Sequence, residues 1–291
     1  MTTTSWHLRE GDPITDDLRA IRLLGGGSTY QAYLAFDEVT FAPVVVKVVR
    51  PDQVDDPSSL SGLRREARAL TEVNHPVVVR GLRYSGALPR PHLVLESIDG
   101  PRLSTLIRRY GPLTEQQYLP LAIDIASALH YFARIGWTHL DIKPSNIIMG
   151  APARLIDLSV ARPREDAAAL TVPIGTDAYM APEQADPGGS YGPPGPASDV
   201  WGLGATLFHA VSGQRPFADG DLDHAEAARR HPQLVDDARP LPDRVPGAVR
   251  DILAAMLARD PAQRPAPAEV AEALEPVLAA QPAARLSFKV R

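Results

Sequence analysis

Within eight residues, His139-Leu140-Asp141-Ile142-Lys143-Pro144-Ser145-Asn146, the sequence gathers an imidazole, a carboxylate, an ammonium and an amide. The apolar run that follows, Ile147-Ile148-Met149, reads as a short buried strand. A loop tethered to such a strand can hold an acid and an amide at fixed separation. Asp141 could then accept a proton from a hydroxyl nucleophile, and Asn146 could give an oxygen to a metal ion. A polar loop with a capping Asp and a turn Asn would look the same, so the stretch alone leaves both readings open.

The elements that must position this loop can be read on either side of it. Residues 18–50 alternate apolar runs with turn signals: Ile21 to Leu24, then Gly25-Gly26-Gly27-Ser28, then Tyr30 to Phe36, then Val44 to Val49. β-Branched and aromatic content argues for strands, and the glycine run for a tight hairpin whose bare N–H groups can approach phosphates. Lys47 interrupts a run of five valines; on alternation alone it could point to water from a half-exposed strand. Leu60, Leu63, Ala67, Leu70 and Val73 recur at helical intervals, and His75-Pro76 stops that helix. In it Glu66, between Arg65 and Arg68, reads by itself as an ordinary solvated charge.

His92 to Glu96 reads as a buried strand, followed by a break at Asp99-Gly100-Pro101. From there the pattern turns helical. Thr114 and Gln117 form a capping box for a helix over 115–134, with Leu121, Ile125, Ala128, Leu129 and Phe132 as its buried stripe. Leu155-Ile156-Asp157 is a short strand ending in an acid. Ser198 opens a helix reaching about Ser212, and residues 247–258 and 267–279 form two more amphipathic helices. The change from strands to helices near residue 100 is the main boundary in the chain.

Composition narrows the function classes. A chain of 291 residues, 44% hydrophobic and 22% charged, fits a globular protein with a sizeable core. The net charge of −5 and the lack of a basic cluster interleaved with aromatics give no sign of nucleic-acid binding. Without cysteine there is no disulfide, no thiolate nucleophile and no Cys-based zinc site. Residues 1–17 lack the basic and apolar regions of a secretory signal, and no apolar run approaches the roughly 20 residues that span a bilayer. These features predict a cytoplasmic protein. The 29 prolines fall mainly in loops such as 187–196 and 240–246.

In this company the loop resembles the catalytic loop of the eukaryotic-type serine/threonine protein kinases, and the resemblance runs from about Asp17 to about Ala279. It implies an α+β bilobal fold: an N-terminal extension (1–17), a small β-rich lobe (18–96), a larger, mostly helical lobe (97–281) and a tail (282–291). The resemblance makes Asp141 the residue that aims the acceptor hydroxyl and takes its proton. Lys143 steadies the transferring phosphoryl group, and Thr176, in Gly175-Thr176-Asp177-Ala178-Tyr179-Met180-Ala181-Pro182-Glu183, contacts both. Lys47 reaches the nucleotide phosphates and pairs with Glu66. Asn146 and Asp157 hold the metal ion. Leu24, Gly25, Gly27, Ala32, Val45, Lys47, Leu95, Glu96, Ile98 and Ile148 form the nucleotide site. The implied cofactors are ATP and Mg2+, with Mn2+ as the alternative ion, and the implied partner is a protein bearing a Ser or Thr acceptor. A lysine two residues after the acid is the serine/threonine form. His139 packs in an apolar stack with Leu70, Leu82 and Leu158; Glu183 pairs with Arg264; Asp199 braces the catalytic loop; Thr171 is the candidate autophosphorylation site.

The departures from the family pattern carry expectations of their own. Tyr30 replaces the third glycine of the glycine-rich loop and stiffens it. Ala32 and Val45 exchange the usual Val and Ala around adenine, so the slot keeps its volume but shifts. Leu140 stands where most members have the arginine that pairs with an activation-segment phosphate, a pairing leucine cannot make. Activity should then depend little on phosphorylation of that segment. Ser159 replaces a glycine and loses the easy positive φ, restricting flips of the segment. Tyr30, Leu140 and Ser159 together motivate a second reading, a pseudokinase or nucleotide-binding scaffold without transfer. A third, a small-molecule kinase, fits residues 175–183 poorly. Because the chain stops shortly after its last helix, it resembles the bacterial members without anchor or sensor; its oligomeric state is not legible.

Overall fold

The computed structural model describes residues 4–282; residues 1–3 of the expected extension and 283–291 of the expected tail lie outside them. The architecture is α+β, with an antiparallel sheet ahead of a helical body. The sheet comprises β1 (Leu18–Gly26), β2 (Tyr30–Asp37) and β3 (Ala42–Val49), then, after helix α1 (Pro57–Glu72), β4 (Gly81–Ser85) and β5 (His92–Glu96). Its strand order is β1-β2-β3-β5-β4.

Alternation sorts the two faces of this sheet. In β2 the residues Gln31, Tyr33, Ala35 and Asp37 are buried on one face, and in β3 Val44, Val46 and Val48 join them. Ala32, Leu34, Val45 and Lys47 share the other face, with Ala32 opposite Lys47 and Leu34 opposite Val45 in the register. The first face is not solvated. Ile14 packs into it, with Trp6 and Leu8 alongside, and the Trp6 indole N–H donates to the Val49 carbonyl at 2.8 Å. With its back covered, the sheet turns Lys47 inward, and the lysine is not the outward residue that alternation alone allowed.

α1 starts at Asp56, whose carboxylate accepts from the Ser59 N–H at 2.7 Å, and Pro57 occupies the first turn, where its missing N–H costs nothing. The helical body follows: α2 (Leu103–Tyr110), α3 (Glu115–Arg134), then short strand pairs that carry the catalytic-loop region. These are β6 (Trp137–Thr138) with β9 (Arg162–Pro163), and β7 (Ile147–Ile148) with β8 (Arg154–Leu155). α4 (Arg164–Ala168), α5 (Pro182–Ala185), α6 (Pro196–Ser212), α7 (Ala227–Arg230), α8 (Gly247–Met256) and α9 (Pro267–Ala279) complete it. α3 begins at the expected place, with the Thr114 N–H donating to Gln117 Oε1 at 3.0 Å. α2 has no counterpart in the sequence reading. One apolar core joins α1, α3, α6, α8 and α9, so the catalytic loop is laid on packed helices. Among the described residues no helix is long and apolar enough to cross a membrane.

Candidate active site

Between sheet and helices lies a cleft of about 360 Å³, within the range of small-molecule sites. The sheet contributes Leu24, Ala32, Val45 and Lys47 to its lining; β5 and the link after it contribute Leu95, Glu96 and Ile98; the helical body contributes Asn146, Ile148 and Asp157. Glu66 reaches it from α1. The two glycines expected in the nucleotide site, Gly25 and Gly27, do not line the cavity. Gly25 lies near the end of β1 with φ 143° and Gly27 follows in the turn; between them a Cβ on Gly26 would lie 2.4 Å from the Tyr30 carbonyl oxygen. Leu34 and Arg22 line the cleft without having been expected. Leu34 was readable from alternation, being two residues from Ala32; nothing in the sequence pattern marks Arg22.

At the inner end, Lys47 Nζ lies 2.6 Å from Glu66 Oε2 and 3.0 Å from Asp157 Oδ1. Glu66 is buried, so the solvated-charge reading does not apply to it. Burial alone would lower the Lys47 pKa, but the charges of Glu66 and Asp157 outweigh it and hold the ammonium above its usual range. Burial likewise works to raise Asp157, and the Lys47 charge overrides it, keeping the carboxyl well below the usual carboxylate range. Burial pushes Glu66 up, with Lys47 offsetting part of that. The trio stands as one cation between two anions.

The catalytic loop forms a second cluster. Thr176 Oγ1 donates to Asp141 Oδ1 at 2.7 Å and accepts from Lys143 Nζ at 2.6 Å. Lys143 Nζ is 2.7 Å from Asp141 Oδ2. Asn146 Nδ2 donates to both the Asp141 carbonyl, at 2.9 Å, and its Oδ2, at 3.0 Å. Since that nitrogen is held by a carboxylate, the amide oxygen is the end available to a cation. Asp157 and Asn146 would give a cation two protein oxygens. No group of three or more His, Cys, Asp or Glu that could hold a metal occurs among the described residues. That donor set suits a hard divalent cation that keeps waters and phosphate oxygens, and not a closed protein cage.

Asp199 fixes the loop from below. Its carboxylate accepts from the N–H groups of His139, at 2.8 Å, and Leu140, at 2.7 Å. Burial pushes its pKa up to about 7, against the pull of those two donors. Leu140 is buried in a left-handed conformation with φ 63°. α5 holds the loop from the other side: Gln184 Nε2 donates to the Leu140 carbonyl at 2.8 Å and the Ile174 carbonyl at 3.0 Å. Glu183 on the same helix pairs with Arg264, at 2.6 and 2.8 Å.

A further expectation fails. Leu82 is 39% exposed and not part of the stack around His139. The register of β4 against β5 shifts between Gly81 and Arg83, which exchanges the faces of the strand. Gly81 faces Leu70 instead, where an added Cβ would lie 2.9 Å from the leucine Cβ. Leu70, Leu158 and His139 are all buried, with the His139 ring 6.0 Å from that of Phe132. Ser159, expected to lose the easy positive φ of a glycine, does not adopt it. The left-handed residue is Asp157, at φ 67°, a conformation that Asp tolerates better than most.

Compared with known proteins, residues 18–274 match the protein kinase domain family. The chain is 34% identical over 224 residues to the serine/threonine-protein kinase PknB of Mycobacterium leprae, covering 74% of this chain and 34% of PknB. It is 32% identical over 267 residues to the serine/threonine-protein kinase PknA of Mycobacterium tuberculosis, covering 88% of this chain and 60% of PknA. The chain therefore spans about a third and about three fifths of the length of these curated relatives.

Proposed function

Since the chain belongs to the protein kinase domain family, we propose that it transfers the γ-phosphate of ATP to serine or threonine hydroxyls of protein substrates. One observation carries the reading: the Lys47–Glu66–Asp157 trio and Asn146 line one cleft, and Asn146 hydrogen-bonds Asp141 of the Asp141–Lys143–Thr176 cluster. Both relatives named above are serine/threonine-protein kinases by name, which supports the same acceptor class.

In this reading the acceptor hydroxyl donates to Asp141, as the Thr176 hydroxyl does here, and Asp141 takes up its proton as the oxygen attacks. Lys143, already between Asp141 and Thr176, neutralises charge on the moving phosphoryl group. Lys47, kept protonated by its two carboxylates, orients the phosphates that remain. Asp157 and Asn146 would hold Mg2+, or Mn2+ in its stead, which when bound neutralises phosphate oxygens. Catalysis is then positioning and electrostatics, without a covalent enzyme intermediate. Leu24, Ala32, Val45, Leu95, Ile98 and Ile148 supply the apolar slot for the base, and Glu96 borders it.

The scaffold reading, motivated by Tyr30, Leu140 and Ser159, is the weaker one, because none of the three displaces a residue of either cluster. The test is transfer of labelled γ-phosphate to a generic protein substrate. Asp141→Asn and Lys47→Met are expected to reduce it at least about 100-fold, the scale of a lost general base or phosphate anchor. Nucleotide binding with no transfer by the parent chain, with Mg2+ or Mn2+, would overturn the proposal.

A further inference from the structure

Tyr30 opens β2 directly after the glycine-rich turn, and neither cluster uses it. Its ring is not part of the cleft lining; it crosses to α1. There the phenol hydroxyl donates to the Ser59 carbonyl at 2.7 Å. On the way the ring presents its face to Lys47, whose Nζ is 4.9 Å from the centroid. A cation at that range over an aromatic face is attracted by the ring quadrupole. Burial raises the pKa of the phenol, so the hydroxyl keeps its proton and remains a donor.

α1 is shaped to receive this side chain. Gly62 lies within the helix, where glycine is the poorest residue after proline. A Cβ at that position would lie 2.7 Å from Tyr30 Oη, so a side chain there would force the phenol to shift. The unfavourable residue and the phenol oxygen thus occupy complementary places on the two elements. One turn further along the same helix is Glu66, the partner of Lys47. Sheet and helix are therefore joined twice within a few ångströms, once by the ion pair and once by Tyr30. Meanwhile Leu140 offers no charge through which an activation-segment phosphate could hold the loop.

We infer that Tyr30 is a positioning residue, which clips the glycine-rich hairpin to α1 and backs Lys47, keeping the Lys47–Glu66 pair assembled without a phosphorylated activation segment. The inference rests on the phosphotransfer reading, because it assigns Lys47 to the nucleotide phosphates.

The test compares Tyr30→Phe, which loses only the hydrogen bond, Tyr30→Leu, which also loses the ring face, Gly62→Ala, which drives a methyl against the hydroxyl, and the Tyr30→Phe/Gly62→Ala pair. Two readouts are taken: steady-state kinetics, and calorimetric affinities for adenosine and for ADP with Mg2+. The difference between the two affinities reports the phosphate anchor alone. Tyr30→Phe should lower kcat about five-fold, the worth of one ordinary hydrogen bond, with KM for ATP unchanged. Tyr30→Leu should weaken ADP about ten-fold and leave adenosine unaffected. Gly62→Ala should be worse than Tyr30→Phe, and the paired variant should recover to the Tyr30→Phe level, because the colliding oxygen is gone. Unchanged kcat and ADP preference in all four, parallel loss of adenosine and ADP affinity, or no recovery in the pair would each overturn the inference. If the parent chain transfers no phosphate yet the ADP preference falls as described, the transfer reading fails and the role of Tyr30 toward Lys47 stands. If the parent binds neither nucleotide, both fail.

Discussion

An Arg264→Leu substitution is expected to destabilise the chain by ~3 kcal/mol, and the buried geometry sets that figure. The Arg264 guanidinium meets Glu183 in a fork, Nη1 to Oε1 at 2.6 Å and Nη2 to Oε2 at 2.8 Å. It also donates to the carbonyls of Ala197, Ala258 and Arg259 and lies 5.0 Å from the centre of the Trp201 ring. Both charged side chains are withdrawn from water, at 0% and 1% exposure. Without the arginine, Glu183 keeps only the Ser198 hydroxyl, at 2.7 Å. An unpaired buried charge of this kind costs ~3–5 kcal/mol. The new leucine returns about 1 kcal/mol at most by packing on Trp201, so the loss dominates. Against a whole-domain stability of ~5–15 kcal/mol this is a large share, and it should lower Tm by about 10 °C. Urea unfolding gives the number directly. The double substitution Glu183→Leu/Arg264→Leu removes the orphaned charge and should be more stable than Arg264→Leu alone. Activity should fall further than stability, because Gln184, next to Glu183, holds the Leu140 and Ile174 carbonyls. A cost below about 1 kcal/mol, or a double variant no more stable than Arg264→Leu, would refute the reasoning.

Thr176→Ala should lower kcat about ten-fold by freeing Asp141 and Lys143 from their shared hydroxyl, and Thr176→Ser should restore most of it; equal kcat in all three would sink the role. Phosphatase treatment should leave the rate within about two-fold, because Leu140 cannot bind an activation-segment phosphate; a large loss would show another cation doing so. The Arg83 pair holds the buried Asp37 well below the usual carboxylate range. A depressed carboxylate stabilises the fold above its unfolded value near pH 4 and loses that contribution as pH falls through its folded value. Arg83→Leu should therefore cost ~1 kcal/mol at pH 7, discounted for the partial exposure of Arg83, and much less near pH 2; a pH-independent cost would contradict this.

How much of this site the sequence discloses depends on the range of the physics involved. Alternation over Val44 to Val49 puts Val45 and Lys47 on one face, and β3 obeys it. Helical spacing finds α1, α3 and α9, because their buried stripes are local patterns. The family resemblance misplaces Leu82, since a register shift in β4 is set by pairing with β5 and leaves no local trace. The positive φ at Asp157 leaves no local trace either. Pairings such as Arg83 with Asp37 join residues 46 positions apart and have no periodicity to betray them. The meeting of Tyr30 with Gly62 is of this kind too, although each is locally odd: one a bulky residue in a glycine position, the other a glycine inside a helix.

The cover over the back of the sheet has a practical meaning for anyone trimming the polypeptide. The span matched by the kinase family begins at residue 18, after Trp6, Leu8 and Ile14. A fragment cut there would bare the valine row of β3 together with Tyr33 and Ala35, and the Val49 carbonyl would lose its indole donor. Such a continuous greasy strip invites self-association. A truncated protein that precipitates, or that reads as inactive, would then report on its missing wrapper and not on its chemistry.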